Sequence, residues 1–474
     1  METLDLAAPI ALGLRRYQTI LRLALPTMFA MLSQAVVNEI DVLYFSRLPC
    51  PDSSNAQAAL LPSLILVWLF GGSLSAVSVG TQALVARRYA EGGRERAGAV
   101  LANAAFFCVA AGTVFSIVGL VLLPSLIRLM VGVPEVQSVA LSYTRWRLLG
   151  VVSMAATMAI KAFFDGIGKT HVHLVASIVM NVTNALLCWI FIFGHLGAPP
   201  MGAAGAGLSA FIATWIGLFI MVGFASLTRG EYRPARWSNL SAKLTGSILR
   251  LSIPAAVATV VMMVGFGLFT RTVGQLDLQG ATATTIAGRC GKVEAVNSAA
   301  NTDIVELLQL TFTACMSFGT ATATLIGQSL GRREPEEAQR WGWASVRLGV
   351  VVFGVVGVLE GIFFTDQVVA LFSNSMAVRD AATFPMHLMG VVTPIIAVAM
   401  ILSEGLFGAG DTKFVAFAQF GLVFGWLVPA AYSLGVRLHM SLNGIWIAAF
   451  IYMCLAAAVM SAKFASGSWK SIRL

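Results

Sequence analysis

Leu21-Arg22-Leu23-Ala24-Leu25-Pro26 opens one long apolar run, and Leu249-Arg250-Leu251-Ser252-Ile253-Pro254 opens another 228 residues later. Two more pairs follow in the same order. Leu84-Val85-Ala86 matches Leu325-Ile326-Gly327 at an offset of 241, each before a charged loop. Gly166-Ile167-Gly168-Lys169-Thr170 matches Gly408-Ala409-Gly410-Asp411-Thr412 at an offset of 242. Collinear matches at nearly constant spacing mark an internal duplication, and a duplication sets the architecture before any single element does. The offset grows by 13 between the first and second pairs. That growth predicts an insertion around 276–300 in the second half, in a Gly-, Ala- and Thr-rich stretch on the outer side.

The runs between these landmarks are too apolar for a soluble core. Of 474 residues, 58% are hydrophobic and 11% charged, against roughly 45–50% and about 25% in an ordinary soluble domain. Mean hydropathy is +0.82. A helix of about 20 residues crosses the roughly 30 Å of bilayer hydrocarbon. The pattern predicts spans over 22–45, 58–86, 98–123, 139–163, 172–193, 203–225, 248–274, 302–327, 342–364, 384–407, 414–434 and 443–462. The expected fold is an all-α polytopic membrane protein of twelve transmembrane helices in two six-helix lobes. Six is even, so the repeats run parallel. The expected boundaries are a first lobe over 1–227, a cytoplasmic linker over 228–247 and a second lobe over 248–474.

Lys and Arg outnumber Asp and Glu by 31 to 22, for a formal net charge of +9. The cations gather in alternate connections: Arg87, Arg88, Arg94 and Arg96 in one, Lys161 and Lys169 in the next, Arg229, Arg233, Arg236 and Lys243 in another, Arg332, Arg333 and Arg340 in a fourth. By the positive-inside rule both termini are cytoplasmic. Topology thus accounts for the basic balance without a nucleic-acid partner. No small-residue cleavage site follows the first run, so that span is expected to stay in the mature chain. Six cysteines form no CxxC pair, which leaves neither a zinc site nor a disulfide framework to read. Cys50 and Cys290 fall near outer connections of opposite lobes, too far apart for a bond that needs Cα atoms within about 7 Å, and are expected as free thiols.

Polar groups inside the spans are the candidate functional residues, because an ionisable side chain there is costly. In the first span Gln34, Asn38 and Asp41 stand at i, i+4 and i+7 on one helical face, with Pro26 near the cytoplasmic end as a helix bend. Asp41 lies about 28 Å along the helix from Arg22. In the fifth span Ser177, Asn181, Asn184 and Cys188 form a second stripe, and Asn184 and Cys188 lie about 20–26 Å from His171, at a matching depth. Ser and Asn also bond helix to helix, so each taken singly has a structural reading. The eighth span carries Asp303, Glu306, Gln309, Thr313, Ser317, Thr320 and Thr324 on one face, which lipid would not tolerate. Glu306 is the acid of that face with appreciable depth. Glu360 and Glu404 lie near or within spans but join no stripe.

Enzyme readings find little support. HExxH, GxSxG and GxxxxGK[ST] are absent. Gly408-Ala409-Gly410-Asp411 resembles the GxGD of intramembrane aspartyl proteases, which need a second buried Asp to share the proton. Its twin ends in Lys169 instead, so a repeated turn at a helix end explains both.

Taken together, these residues resemble the multidrug and toxic compound extrusion (MATE) family. The resemblance covers essentially the whole chain. It rests on Pro26, Gln34 and Asp41, the loop at 166–170, Asn181 to Gly194 followed by Gly202 to Gly207, the stretch Ala321 to Gly331, and Gly408 to Lys413. It implies a two-lobe antiporter that alternates between inward- and outward-open states and expels organic cations or amphiphiles in exchange for protons or sodium. Asp41 and Asn184 match residues of a first-lobe cation site. Four residues after that Asn, however, members often carry Asp where this chain has Cys188, which weighs against sodium. The seventh span, 254–274, has no acid where members with a second-lobe site carry Glu, so Glu306 is the candidate in its place. The expectation is a monomeric, proton-coupled exporter of the bacterial inner membrane, with Gln34, Asn38, Ser177, Asn181, Cys188, Gln309, Thr313 and Ser317 lining the substrate path. It is not an enzyme on this reading, and it needs no cofactor beyond the coupling ion, H+ or Na+. A flippase for lipid-linked oligosaccharide of the same superfamily is the alternative, although it favours mid-span Lys or Arg, which are scarce here.

Overall fold

The computed structural model describes residues 7–49, 52–131, 134–232, 240–280, 296–372 and 376–472. Within the helices, the side chains of 7–13, 35–39, 41–42, 46, 52–54, 57–58, 61, 229, 277–280, 299 and 371–372 lie outside that description. The described residues are helical nearly throughout. The first half holds α1 (Ala7–Ser46), α2 (Asp52–Val67), α3 (Ser73–Ser75), α4 (Val77–Ala90), α5 (Arg94–Met130), α6 (Pro134–Leu149), α7 (Val151–Gly166), α8 (His171–Phe193), α9 (Ala203–Leu227) and α10 (Arg229–Tyr232). The second holds α11 (Ala242–Gly280), α12 (Val296–Gly331), α13 (Pro335–Val358), α14 (Thr365–Phe372), α15 (Met376–Ala409), α16 (Thr412–Leu422), α17 (Val428–Tyr432) and α18 (Ser441–Ser466). π-helical turns at Trp68–Gly72, Leu359–Phe363, Val423–Leu427 and Ser433–Arg437 join some of these into longer rods.

Ten described helices are long and apolar enough to cross a membrane, and α6 with α7, bent by 42° at Gly150, makes an eleventh. With α1 the twelve expected spans are all present as helices. Most run past the ends of their apolar windows, because backbone hydrogen bonding continues into the headgroup region where charged side chains are tolerated.

The duplication is visible in backbone geometry. At the end of α7, Lys169 N–H donates to Phe164 O at 2.8 Å while Gly168 holds φ of +80°. At the end of α15, Asp411 N–H donates to Leu406 O at 2.9 Å while Gly410 holds φ of +91°. Both are the same left-handed helix stop, in which a late N–H reaches back five residues. The charged loops of the second pair repeat the pattern: Gly93 N–H donates to Arg88 O, and Glu334 N–H to Ser329 O. GxGD at 408–411 is therefore a helix stop. Asp411 pairs with Lys463 at 3.0 Å.

The chain packs as two compact units. One comprises Arg22–Ala256 with Gly327–Glu334, the other Met1–Leu21, Val257–Ile326 and Pro335–Arg473. These differ from halves drawn at the sequence midpoint, since the start of α11 joins the first unit. The physical reason is close packing: a Cβ on Gly80 of α4 would stand 2.5 Å from Ile248 O, so only glycine lets α11 approach. Asn103 Oδ1 fixes the same segment by accepting from Ser241 N–H at 2.8 Å and Thr245 Oγ1 at 3.1 Å. Tyr232 of α10 is buried against Phe163, ring edge to face at 5.2 Å.

Candidate functional site

In the first unit, the α8 stripe is a buried polar seam. His173, Ser177, Asn181, Asn184 and Cys188 are all buried, at helical spacing down one face. Ser177 Oγ and His173 Nε2 share a hydrogen bond at 3.2 Å, and Cys188 Sγ donates to Asn184 Oδ1 at 3.9 Å. Asn181 Nδ2 donates to Ser33 Oγ of α1 at 2.7 Å, and Ser33 Oγ passes a hydrogen bond to Ala30 O at 2.7 Å. The seam thus joins the helix that carries Asp41 to the helix that carries Asn184. Ser33 carries no signal in the sequence, because a lone Ser one position from Gln34 falls off the 34–38–41 face.

That face begins about 80–140° around α1 from Ser33, at 100° per residue. Gln34, its first member, is exposed and does not pack into its unit. The side chains of Asn38 and Asp41 lie outside the described residues, although their backbone continues α1 without a break. Pro26 sits inside α1 as Pro254 does inside α11. Each lacks the N–H that would bond the carbonyl four residues back.

A buried ion pair supports the foot of the seam. Lys161 Nζ and Asp165 Oδ2 meet at 2.7 Å on successive turns of α7, with both side chains nearly inaccessible. The alternating-charge pattern reads Lys161 as a loop cation, but it is a core residue of α7. The reason it is tolerated there is Asp165, four residues on. One residue further, Gly166 O accepts from Gln328 Nε2 at 2.9 Å, which ties the end of α12 to this turn.

In the second unit, the α12 stripe divides in two. Asp303, Glu306 and Thr313 are half-buried and Gln309 is exposed. Ser317, Thr320 and Thr324 are buried, and two of their hydroxyls turn back on their own helix, Ser317 to Thr313 O at 3.0 Å and Thr324 to Thr320 O at 3.1 Å. Back-bonding of this kind satisfies a hydroxyl without any partner helix. Of the 276–300 insertion, residues 281–295 lie outside the described residues, as do Cys50 and Cys290. Among the described cysteines, Cys108, Cys188, Cys315 and Cys454 are free thiols.

Two acids off the stripe come into contact with it or with each other's helices. Glu404 of α15 lies against Gly319 of α12, where a Cβ would stand 2.5 Å from its Cγ. Glu360 is the second residue of the π-turn after α13 and accepts from Thr393 Oγ1 of α15 at 3.5 Å. The signal for Glu404 was the glycine opposite, legible only once α12 and α15 are known to touch. Among the described residues, no three His, Cys, Asp or Glu side chains are grouped closely enough to hold a metal ion.

A twelve-helix duplication with no strand among the described residues and a buried polar seam in its first unit defines a polytopic membrane protein of parallel-repeat architecture. The chain belongs to the MatE family, whose model matches residues 26–190 and 281–432. It is 23% identical over 458 residues to the probable multidrug resistance protein NorM of Mannheimia succiniciproducens, covering 94% of this chain and 92% of that one. It is 23% identical over 477 residues to the multidrug resistance protein PmpM of Pseudomonas aeruginosa, covering 98% and 95%. Among solved structures, an outward-facing multidrug resistance MATE family transporter of the MOP superfamily superposes with a TM-score of 0.83 at 20% identity, over 95% of this chain and 96% of that one. A MATE crystal structure in the straight conformation gives 0.84 at 19%, over 95% and 97%. At such identity the structural likeness carries the fold alone.

Proposed function

We propose that the chain is a cation-coupled exporter that expels organic cations or amphiphilic drugs and metabolites by alternating access, with protons as the coupling ion. The observation that carries this reading is the Asn181–Ser33 link, which holds α1, with Gln34, Asn38 and Asp41 on its adjacent face, against the polar seam of α8. An exposed polar side chain on a membrane-spanning helix, as Gln34 is, needs water or substrate, since lipid offers it nothing. The family relatives named as multidrug resistance proteins support the substrate class.

Asp41 takes the coupling role in this account. As a carboxylate it attracts a cationic substrate, and the same oxygens can bind a proton in its place. A proton bound at its oxygen removes the charge that holds the substrate, which leaves, and loss of that proton on the other side restores the site. Asn184 supports the cation at the same depth, and Glu306 is an accessory acid in the second lobe. The protein works as a monomer in a bacterial plasma membrane with both termini cytoplasmic. Uptake of a fluorescent organic cation into inverted vesicles, driven separately by a proton and a sodium gradient, tests the reading. Proton-driven uptake is expected, and no uptake with either gradient would remove it.

A further inference from the structure

The second unit carries a cleft of about 260 Å3 between the start of α1 and the first turns of α13, lined by Arg16, Tyr17, Glu336, Arg340, Trp343 and Arg347 among others. Its acids are already engaged. Arg16 holds Glu337 through both carboxylate oxygens at 2.9 Å, and Lys470 holds Glu336 at 2.8 Å. Arg340 reaches Glu337 at only 3.8 Å. Arg347 has no ion pair among the described residues and is exposed. Four cations against two acids leave the cleft with a surplus of positive charge.

Arg340, Trp343, Ala344 and Arg347 stand at i, i+3, i+4 and i+7 on one face of α13, so the two arginines bracket the indole over about 10 Å. Arg347 lies about 18 Å along the helix from Pro335, deeper than a cation meant only for bulk water. Beyond it the same face continues as Val351, Val355 and Val358, exposed at 64%, 56% and 41%. A basic cleft with room for a phosphate group thus runs directly into an exposed apolar track. Free phosphate has no use for the track, and a neutral lipid has no use for the unpaired arginine.

We propose that this cleft seats the phosphate headgroup of an anionic membrane lipid, with an acyl chain along Val351, Val355 and Val358. Arg340 and Arg347 donate to the phosphate oxygens, and Trp343 sits at the level where an amphipathic ring is favoured. Basic pockets beside membrane helices bind such headgroups by this chemistry.

Native mass spectrometry of the full chain in detergent, titrated with phosphatidylglycerol or with phosphatidylcholine of the same acyl chains, tests it. The wild type is expected to retain one phosphatidylglycerol in preference to phosphatidylcholine. The Arg340→Gln, Arg347→Gln double variant should weaken that binding about 30-fold. Ala344→Leu, which narrows the cleft and removes no charge, should weaken it as well, and decides the matter alone if the double variant does not fold. Unchanged phosphatidylglycerol binding in the folded variants, or equal retention of phosphatidylcholine, would overturn the proposal. Complete displacement of the lipid by inorganic phosphate would reassign the cleft to the free anion and overturn it too.

Discussion

Asn181 Nδ2 donates to Ser33 Oγ at 2.7 Å, joining α8 to α1 across 148 residues of sequence. The bond orders the helix that bears Asp41 against the helix that bears Asn184. Hydrogen bonds between membrane helices average about 0.6 kcal/mol and reach about 1.7 kcal/mol. Asn181→Ala and Ser33→Ala should each lower the melting temperature in detergent. The double variant should lose less than the two added together, by a coupling of about 0.6–1.7 kcal/mol. Strict additivity in that cycle would mean the two side chains are energetically independent.

Lys161 and Asp165 form the most buried of the ion pairs described. Removing one partner strands a charge in the core, at a cost of about 3–5 kcal/mol, while replacing both by apolar residues costs far less. Asp165→Leu should therefore express poorly and melt early, and adding Lys161→Met should restore much of the loss. A double variant less stable than Asp165→Leu alone would refute this.

Gly168 and Gly410 hold left-handed backbone in twin helix stops. Gly168→Ala and Gly410→Ala should each cost about 1 kcal/mol or more, from the strain of a Cβ at that φ. Gly223→Ala, at a site with open space around it, is the control and should not destabilise.

The division of the α12 stripe gives a labelling pattern. In a background cleared of native cysteines, Gln309→Cys and Thr313→Cys should react with a membrane-impermeant thiol reagent, since their sites are exposed and half-buried. Ser317→Cys and Thr320→Cys should be protected, since theirs are buried. Uniform labelling of all four would contradict the packing of this helix.

Much of the fold was legible because membrane helices advertise themselves by apolar runs, and a duplicated chain repeats its punctuation. The match at Pro26 and Pro254 and the paired loops at 168 and 410 marked the duplication, which the twin helix stops repeat in backbone geometry. What stayed hidden depends on which helices touch. Nothing local marks Lys161 as buried, because its partner and its depth emerge only when α7 packs. The π-turn at Leu359–Phe363 has no compositional signature, so Glu360 read as a stray acid. Ser33 and Gly319 gain meaning from Asn181 and Glu404, residues remote in sequence. The α8 stripe, by contrast, was readable outright, since its polar residues keep helical spacing in an otherwise apolar span.

In the proposed mechanism Asp41 couples proton movement to export. Purified protein in liposomes loaded with a fluorescent organic cation, given an imposed proton gradient, tests it most directly when wild type and Asp41→Asn are compared at equal incorporation. The expected result is gradient-driven transport by the wild type and none by Asp41→Asn, with the variant's melting temperature within a few degrees of the wild type's, since an amide replaces a carboxylate of the same shape. Proton-driven transport at the wild-type rate in Asp41→Asn would contradict the account.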